Sequence, residues 1–106
     1  MIGENDKAVA LAEMQYELQP YNIRLLESLI DIYSRSFILD KHEKAVQKLN
    51  ELVPNQPDYQ ISLANSYLFT GKLDEGIDVL EKLLKDNPRN VAALLKMGEL
   101  YLHMHD

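Results

Sequence analysis

The chain has no cysteine among its 106 residues, so a disulfide framework and a thiolate metal site are both excluded. Positive charge is scarce and scattered, with 11 Lys and Arg against 17 Asp and Glu and a net charge of −6. Nucleic acid and anionic membranes both call for clustered Lys and Arg, so neither is expected as a partner. No apolar run approaches the ~18 residues of a membrane span. The opening residues MIGENDK lack the basic-then-apolar order of a signal peptide. The cytoplasm is therefore the default compartment. A chain of this length is expected to form one small domain with a modest core.

What the sequence does have is a period. Residues 57–90 read as a helical hairpin, two amphipathic runs flanking Thr70-Gly71-Lys72. The first, from Asp58 to Phe69, carries Ile61, Ala64, Leu68 and Leu63, Tyr67 at helical spacing. The second, from Leu73 to Lys85, carries Leu73, Ile77, Leu80, Leu83 and Leu84. Gly71 can take the left-handed conformation that ends a helix, and Pro88 stops the second run. The unit recurs: Pro20, Pro54 and Pro88 stand 34 residues apart, as do Tyr33, Tyr67 and Tyr101. Leu29, Leu63 and Met97 share that spacing, as do Ile30, Ala64 and Gly98.

With this punctuation the chain resembles the tetratricopeptide repeat, patterned W-x2-L-G-x2-Y, A-x3-F, P. The first part reads Leu26-x2-Leu29-Ile30-x2-Tyr33, Gln60-x2-Leu63-Ala64-x2-Tyr67 and Leu94-x2-Met97-Gly98-x2-Tyr101. The second reads Ala8-x3-Ala12, His42-x3-Val46 and Gly76-x3-Leu80. No copy has the family's Trp, and Ile30 is large where the family prefers a small residue, which predicts a wider gap between the helices there. The resemblance implies an all-α fold, a right-handed α-solenoid of antiparallel hairpins with about six helices. The chain then divides into a half repeat at 1–19, repeats at 20–53 and 54–87, and a half repeat at 88–106. On that register both ends fall in mid-repeat, and the chain is expected to be a segment of a longer protein.

In order, the first helix is expected over about Asn5 to Leu18, capped by Asn5 or Asp6, with Gly3 in the turn before it. Ala8, Val9, Leu11 and Ala12 form its apolar side, and Glu13 and Glu17 face elsewhere. Asn22 caps a helix to about Ser36 with Leu26, Leu29, Ile30 and Tyr33 buried. Phe37-Ile38-Leu39 then replaces the expected glycine turn. For the next helix, about Asp40 to Val53, strict periodicity buries His42, Val46 and Leu49. A register slid by one turn buries Ala45, Leu49 and Leu52, and is preferred because it mirrors Gly76, Leu80 and Leu83; it implies a longer turn before Asp40. Asp40 with Lys44, Asp74 and Asp78 with Lys82, and Glu81 with Lys85 are i,i+4 pairs on solvated faces. Asn90 caps a last helix to about Met104, whose buried stripe is Leu94, Met97, Gly98 and Tyr101.

Chemistry is weakly signalled. His103 and His105 are two apart and point in nearly opposite directions on a helix, whereas a shared metal wants i,i+3 or i,i+4. His42 stands alone, in a turn or the first turn of a helix. Glu27 with Asp31 and Glu13 with Glu17 are one turn apart, but nothing suggests a pocket that would desolvate them. Thr70-Gly71-Lys72 lacks the frame of a phosphate loop. No catalytic residue, metal or cofactor is assigned. The three periodic tyrosines read as equivalent core positions.

The resemblance further implies a non-catalytic scaffold that holds a protein or peptide partner against the concave surface lined by the first helix of each hairpin. Mapped onto this chain, that surface offers Glu27 and Asp31, then Ile61, Asn65 and Leu68, then Leu95, Lys96 and Glu99. Asn65 supplies an amide beside the apolar Leu68, and Asn65→Ala with Leu68→Ala is expected to abolish capture. One subclass of the family grips acidic chaperone tails through Lys, Asn and Arg. At the matching places this chain offers Glu27 and Asp31, with only Asn65 and Lys96 agreeing, so a segment with apolar side chains and a basic residue fits better. The rival expectation is structural: self-assembly as a homo-oligomer, the terminal helices of one chain pairing head-to-tail with those of another.

Overall fold

The computed structural model describes residues 2–105, with side chains described from Asp6 onward. Six helices follow one another: α1 Ile2–Leu18, α2 Ile23–Arg35, α3 Leu39–Leu52, α4 Pro57–Thr70, α5 Leu73–Asp86 and α6 Val91–Met104. No strand occurs among the described residues. Each helix packs on the next in sequence, and α4 also touches α6. This nearest-neighbour stacking is that of a solenoid, 40 × 30 × 18 Å in extent.

The local signals explain most boundaries. Asn22 and Asn90 sit in extended backbone and accept from the amides of Leu25 and Ala93, so each caps its helix. Pro57 opens α4, where its missing N–H costs nothing. Gly71 ends α4 at φ 78°, with the Lys72 amide bonded back to the Tyr67 carbonyl. α3 and α5 have no side-chain cap and instead carry Asp40, and Asp74 with Glu75, in their first turns against the helix dipole. α1 departs from expectation. It begins at Ile2, so Gly3 does not make a turn and neither Asn5 nor Asp6 caps the helix.

The apolar side chains collect in two clusters rather than one. The first joins Val9 and Ala12 of α1 to Leu26, Leu29 and Tyr33 of α2 and Ala45 and Leu49 of α3. The second joins Ala64 of α4 to Ile77, Leu80 and Leu83 of α5 and Ala93 and Leu100 of α6. Gly76 fits the second closely: a Cβ there would lie 3.3 Å from Leu100 Cδ1 and 3.5 Å from the Ala64 carbonyl oxygen. In the α2–α3 hairpin Ile30 takes the place of Ala64, and those two helices pack less extensively than α4 and α5.

Several packing faces differ from the sequence reading. On α1, Val9 and Ala12 are buried but Ala8 and Leu11 are exposed. Glu13 does not face away, because its carboxylate accepts from the Tyr33 hydroxyl and from Lys41 Nζ at 3.0 Å. On α3 the two registers are both used. Ala45 and Leu49 enter the first cluster, while the strictly periodic His42 and Val46 are buried toward α4 and Leu52 is only half-buried. The connection before α3, residues 36–38, is one residue longer than the Gly71-Lys72 connection before α5. On α6 the buried residues are Ala93 and Leu100; Leu94, Gly98 and Tyr101 are exposed and Met97 half-buried. The helix rolls by about one residue to seat its small Ala93 and its Leu100 against α4 and α5. The expected i,i+4 pairs on α3 and α5 do not form among the described residues. The ion pairs found are Asp31–Arg35, Glu13–Lys41, Glu43–Lys72 and Glu99–Lys96.

Candidate partner-binding groove

The first helices of the hairpins, α2, α4 and α6, carry the residues expected to meet a partner, and they fall into three groups. Glu27 and Asp31 share the wall of a cavity of about 270 Å³ that opens between α2, α3 and α4. Ser34 continues that wall one turn on, and Tyr59 and Ser62 face it from α4. Asp31 pairs with Arg35 at 3.1 Å, an exposed contact of small worth. The Tyr59 phenol is pushed above its ordinary pKa by burial and by the Glu27 carboxylate nearby.

The second group is bonded across α4 and α6. Lys96 Nζ donates to Asn65 Oδ1 at 2.9 Å and to Glu99 Oε2 at 3.1 Å. The Lys96 side chain is only 18% exposed, so its charge is neutralised locally rather than offered to solvent. The third group is apolar, and the structure divides it. Ile61 and Leu68 are half-buried against the second cluster, whereas Leu95 is 66% exposed. Removing Leu68 would therefore disturb packing as well as any contact with a partner.

The polar residues missed in the sequence lie between α3 and α4. His42 closes the first turn of α3 and is buried there, with its Nδ1 3.0 Å from Ser66 Oγ. Burial holds the imidazole below its ordinary pKa and so neutral. Glu43, also buried, accepts from Thr70 Oγ1 at 2.8 Å and from Lys72 Nζ at 2.6 Å. Burial alone would raise its pKa, but the Lys72 and Thr70 bonds outweigh that and hold it low. Gln47 Nε2 donates to the Tyr67 hydroxyl and Asn50 Nδ2 to the Tyr59 carbonyl, each at 3.0 Å. These contacts form a polar seam between the two apolar clusters. One signal for it was present: Tyr33 bonds Glu13 and Tyr67 bonds Gln47, both partners 20 residues back. Glu81 holds the same place before Tyr101, but Tyr101 is 45% exposed and is not a core residue. Tyr33 is buried and Tyr67 half-buried. His103 and His105 are exposed, and among the described residues no group of three or more His, Cys, Asp or Glu could hold a metal.

Residues 57–100, the central hairpin and most of α6, match the family model described as "Tetratricopeptide repeat". Residues 57–100 therefore carry the tetratricopeptide-repeat pattern. Solved structures extend the likeness to almost the whole of it. MamA (MSR-1) superposes with a TM-score of 0.79 at 22% identity, over 98% of this chain and 60% of that one. TTC0263, a thermophilic TPR protein of Thermus thermophilus, gives 0.74 at 22% identity over 94% and 51%. The first TPR of Spaghetti (RPAP3), bound to the HSP90 peptide SRMEEVD, gives 0.76 at 18% identity over 98% and 82%. At such identities the likeness is one of fold. The chain spans about three fifths of the MamA chain and about half of TTC0263. No curated protein matches it. No described helix is long and apolar enough to cross a membrane.

Proposed function

We propose that the chain is a non-catalytic interaction module that takes a segment of a partner protein across the face built by α2, α4 and α6. The observation that carries this reading is the row of side chains along that face. A cavity walled by Glu27 and Asp31 lies at one end, the bonded Asn65–Lys96–Glu99 group at the other, and Leu95 is exposed beside it. A cavity with polar walls next to an exposed apolar side chain suits a peptide better than a small reacting molecule. The Spaghetti domain that shares this fold is bound to an acidic peptide. Here the α2 end is acidic and Lys96 is already engaged, so a carboxylate-rich tail meets like charge. A segment with apolar side chains and a basic residue fits the row.

The test is to select peptides on the immobilised chain and map a selected peptide by amide chemical shifts. The largest changes are expected at Glu27, Asp31, Asn65, Leu95 and Glu99. Asn65→Ala with Leu95→Ala, which spares the half-buried Leu68, should weaken binding at least about tenfold, the loss of one or two good contacts. Shifts confined to α1, α3 and α5 would overturn the reading.

A second reading, self-association, rests on α6. Gly98 has open space above its Cα, whereas Ala64, one period earlier, is wholly buried. Leu94, Leu95, Tyr101 and Leu102 are exposed around it, and α1 exposes Leu11, Met14 and Leu18. Sedimentation equilibrium over a concentration series decides it: a chain that stays monomeric at high concentration does not self-assemble.

A further inference from the structure

A second groove lies between α1 and α3, away from the α2–α4 cavity, and its chemistry is different. Its volume is about 580 Å³. Tyr16, Leu26, Leu29 and Ala45 give it an apolar floor. Along α3, Lys41, Lys44 and Lys48 line one wall at spacings of three and four residues, one lysine per turn. Glu13 and Glu17 stand on the α1 wall. In a chain of net charge −6, this wall is a local reversal of sign.

The charges in the groove are not mutually spent. Glu13 is occupied, accepting from the Tyr33 hydroxyl and from Lys41 Nζ, and those two bonds hold its carboxyl below the usual range. Lys41 is thereby committed as well. Lys44 and Lys48 have no carboxylate within ion-pair distance among the described residues. The Lys48 ammonium instead lies 5.8 Å from the centre of the Tyr21 ring, a cation–π contact that keeps it at the rim. Two available ammonium groups one turn apart, above an apolar floor, form a binding surface of defined chemistry.

We infer that the α1–α3 groove is a second docking site, one that takes an acidic amphipathic helix from a partner protein. The helix lays its apolar side chains on Tyr16 and the methylene stems of Lys44 and Lys48, above a floor closed by the buried Leu26 and Leu29, and carboxylates along one flank reach the Lys44 and Lys48 ammonium groups. Glu17 fixes the orientation: the acidic flank lies against α3, and the flank toward α1 is neutral or basic. A basic segment, of the kind that suits the α2–α4 cavity, is repelled here by Lys44 and Lys48. With the two sites on different faces and of opposite charge preference, the module can hold two partners at once. The α1–α3 site stands whether or not the α2–α4–α6 face binds anything.

The test is fluorescence anisotropy on the intact chain. The probe is a labelled peptide of roughly twelve residues, with leucines on one helical face and glutamates along one flank. Saturable binding that weakens with added salt is expected. K44E with K48E should reduce affinity at least about tenfold, as like charges replace two attractive contacts. E17Q, which removes the opposing charge from the α1 wall, should tighten binding by roughly two- to threefold. Asn65→Ala with Leu95→Ala should leave this affinity unchanged. Circular dichroism melts check folding, and if the double reversal does not fold, Lys44→Gln with the E17Q result still decides. The proposal is overturned by a chain that does not bind the probe, by unchanged affinity in the lysine variants, or by sedimentation with phosphatidylserine vesicles in place of peptide binding.

Discussion

The two complete hairpins turn in the same way with different residues. Between α4 and α5 the left-handed position is Gly71 at φ 78°; one period earlier, between α2 and α3, it is Phe37 at φ 55°. Glycine adopts that conformation without penalty, whereas an L-residue with a bulky side chain loses roughly 1–2 kcal/mol there. Phe37 gains little in return from burial, since it is 83% exposed. The backbone shape is thus imposed by the packing of the flanking helices rather than by the turn residue. The hairpin around Phe37 also has the bulky Ile30 where its neighbour has Ala64, and packs less extensively. The α4–α5 hairpin is the firmer of the two.

That contrast can be broken or sharpened by mutation. The largest effect is expected from Leu80→Ala, at a wholly buried position in the second cluster, which should cost about 3–5 kcal/mol. Native-state hydrogen exchange should then show protection lost through α4, α5 and α6 while α1 and α2 retain most of theirs, because the clusters are separate. Uniform loss across all six helices would mean that they melt as one. A turn exchange comes next. Gly71→Phe should cost about 1–2 kcal/mol and Phe37→Gly should gain up to about 1 kcal/mol, both read from urea midpoints. Equal and negligible changes would show that neither turn is strained.

The smallest effect concerns pH and the seam. His42 has a folded-state pKa lowered by burial from the ordinary 6.5. The unfolded chain therefore binds this proton first, and stability should fall as pH drops below about 6.5. Glu13 and Glu43, also lowered from the ordinary 4.5, should add a further loss below that value. His42→Gln should flatten the first part of the profile and leave the second. A profile unchanged by the substitution would remove His42 from the account.

The helices were largely legible because their punctuation is local. Asn22, Asn90 and Gly71 each act on backbone groups within a few residues, and the period repeated the lesson. The apolar faces were half legible. On α6, periodic alignment put Leu94 and Tyr101 where their counterparts sit, but burial depends on what packs against a face, and Ala93 and Leu100 are the residues that meet α4 and α5. The seam was hardly legible at all. His42 and Glu43 read as surface residues by hydropathy, and what makes their burial tolerable, Ser66, Thr70 and Lys72, lies 24 to 29 residues further on. In the candidate site, Glu27 and Asp31 share one cavity wall and Lys96 bonds Asn65 and Glu99. That Lys96 would be neutralised by its neighbours, and that Leu68 would be half core, needed the neighbouring helices in place.

The seam has a consequence for measurement of length. Apolar surfaces adhere over a range of offsets, because dispersion and water exclusion care little about angle. Hydrogen bonds between fixed donors and acceptors do not, and between α3 and α4 several must close together. They act as the teeth of a keyed joint, allowing one rotation and one offset between the two halves of the chain. The spacing from Glu27 on α2 to Asn65 on α4 is therefore a gauge set by His42, Glu43, Gln47 and Asn50. On the proposed reading of that face, a partner segment whose anchoring groups do not match the gauge is accommodated only by unlocking the joint.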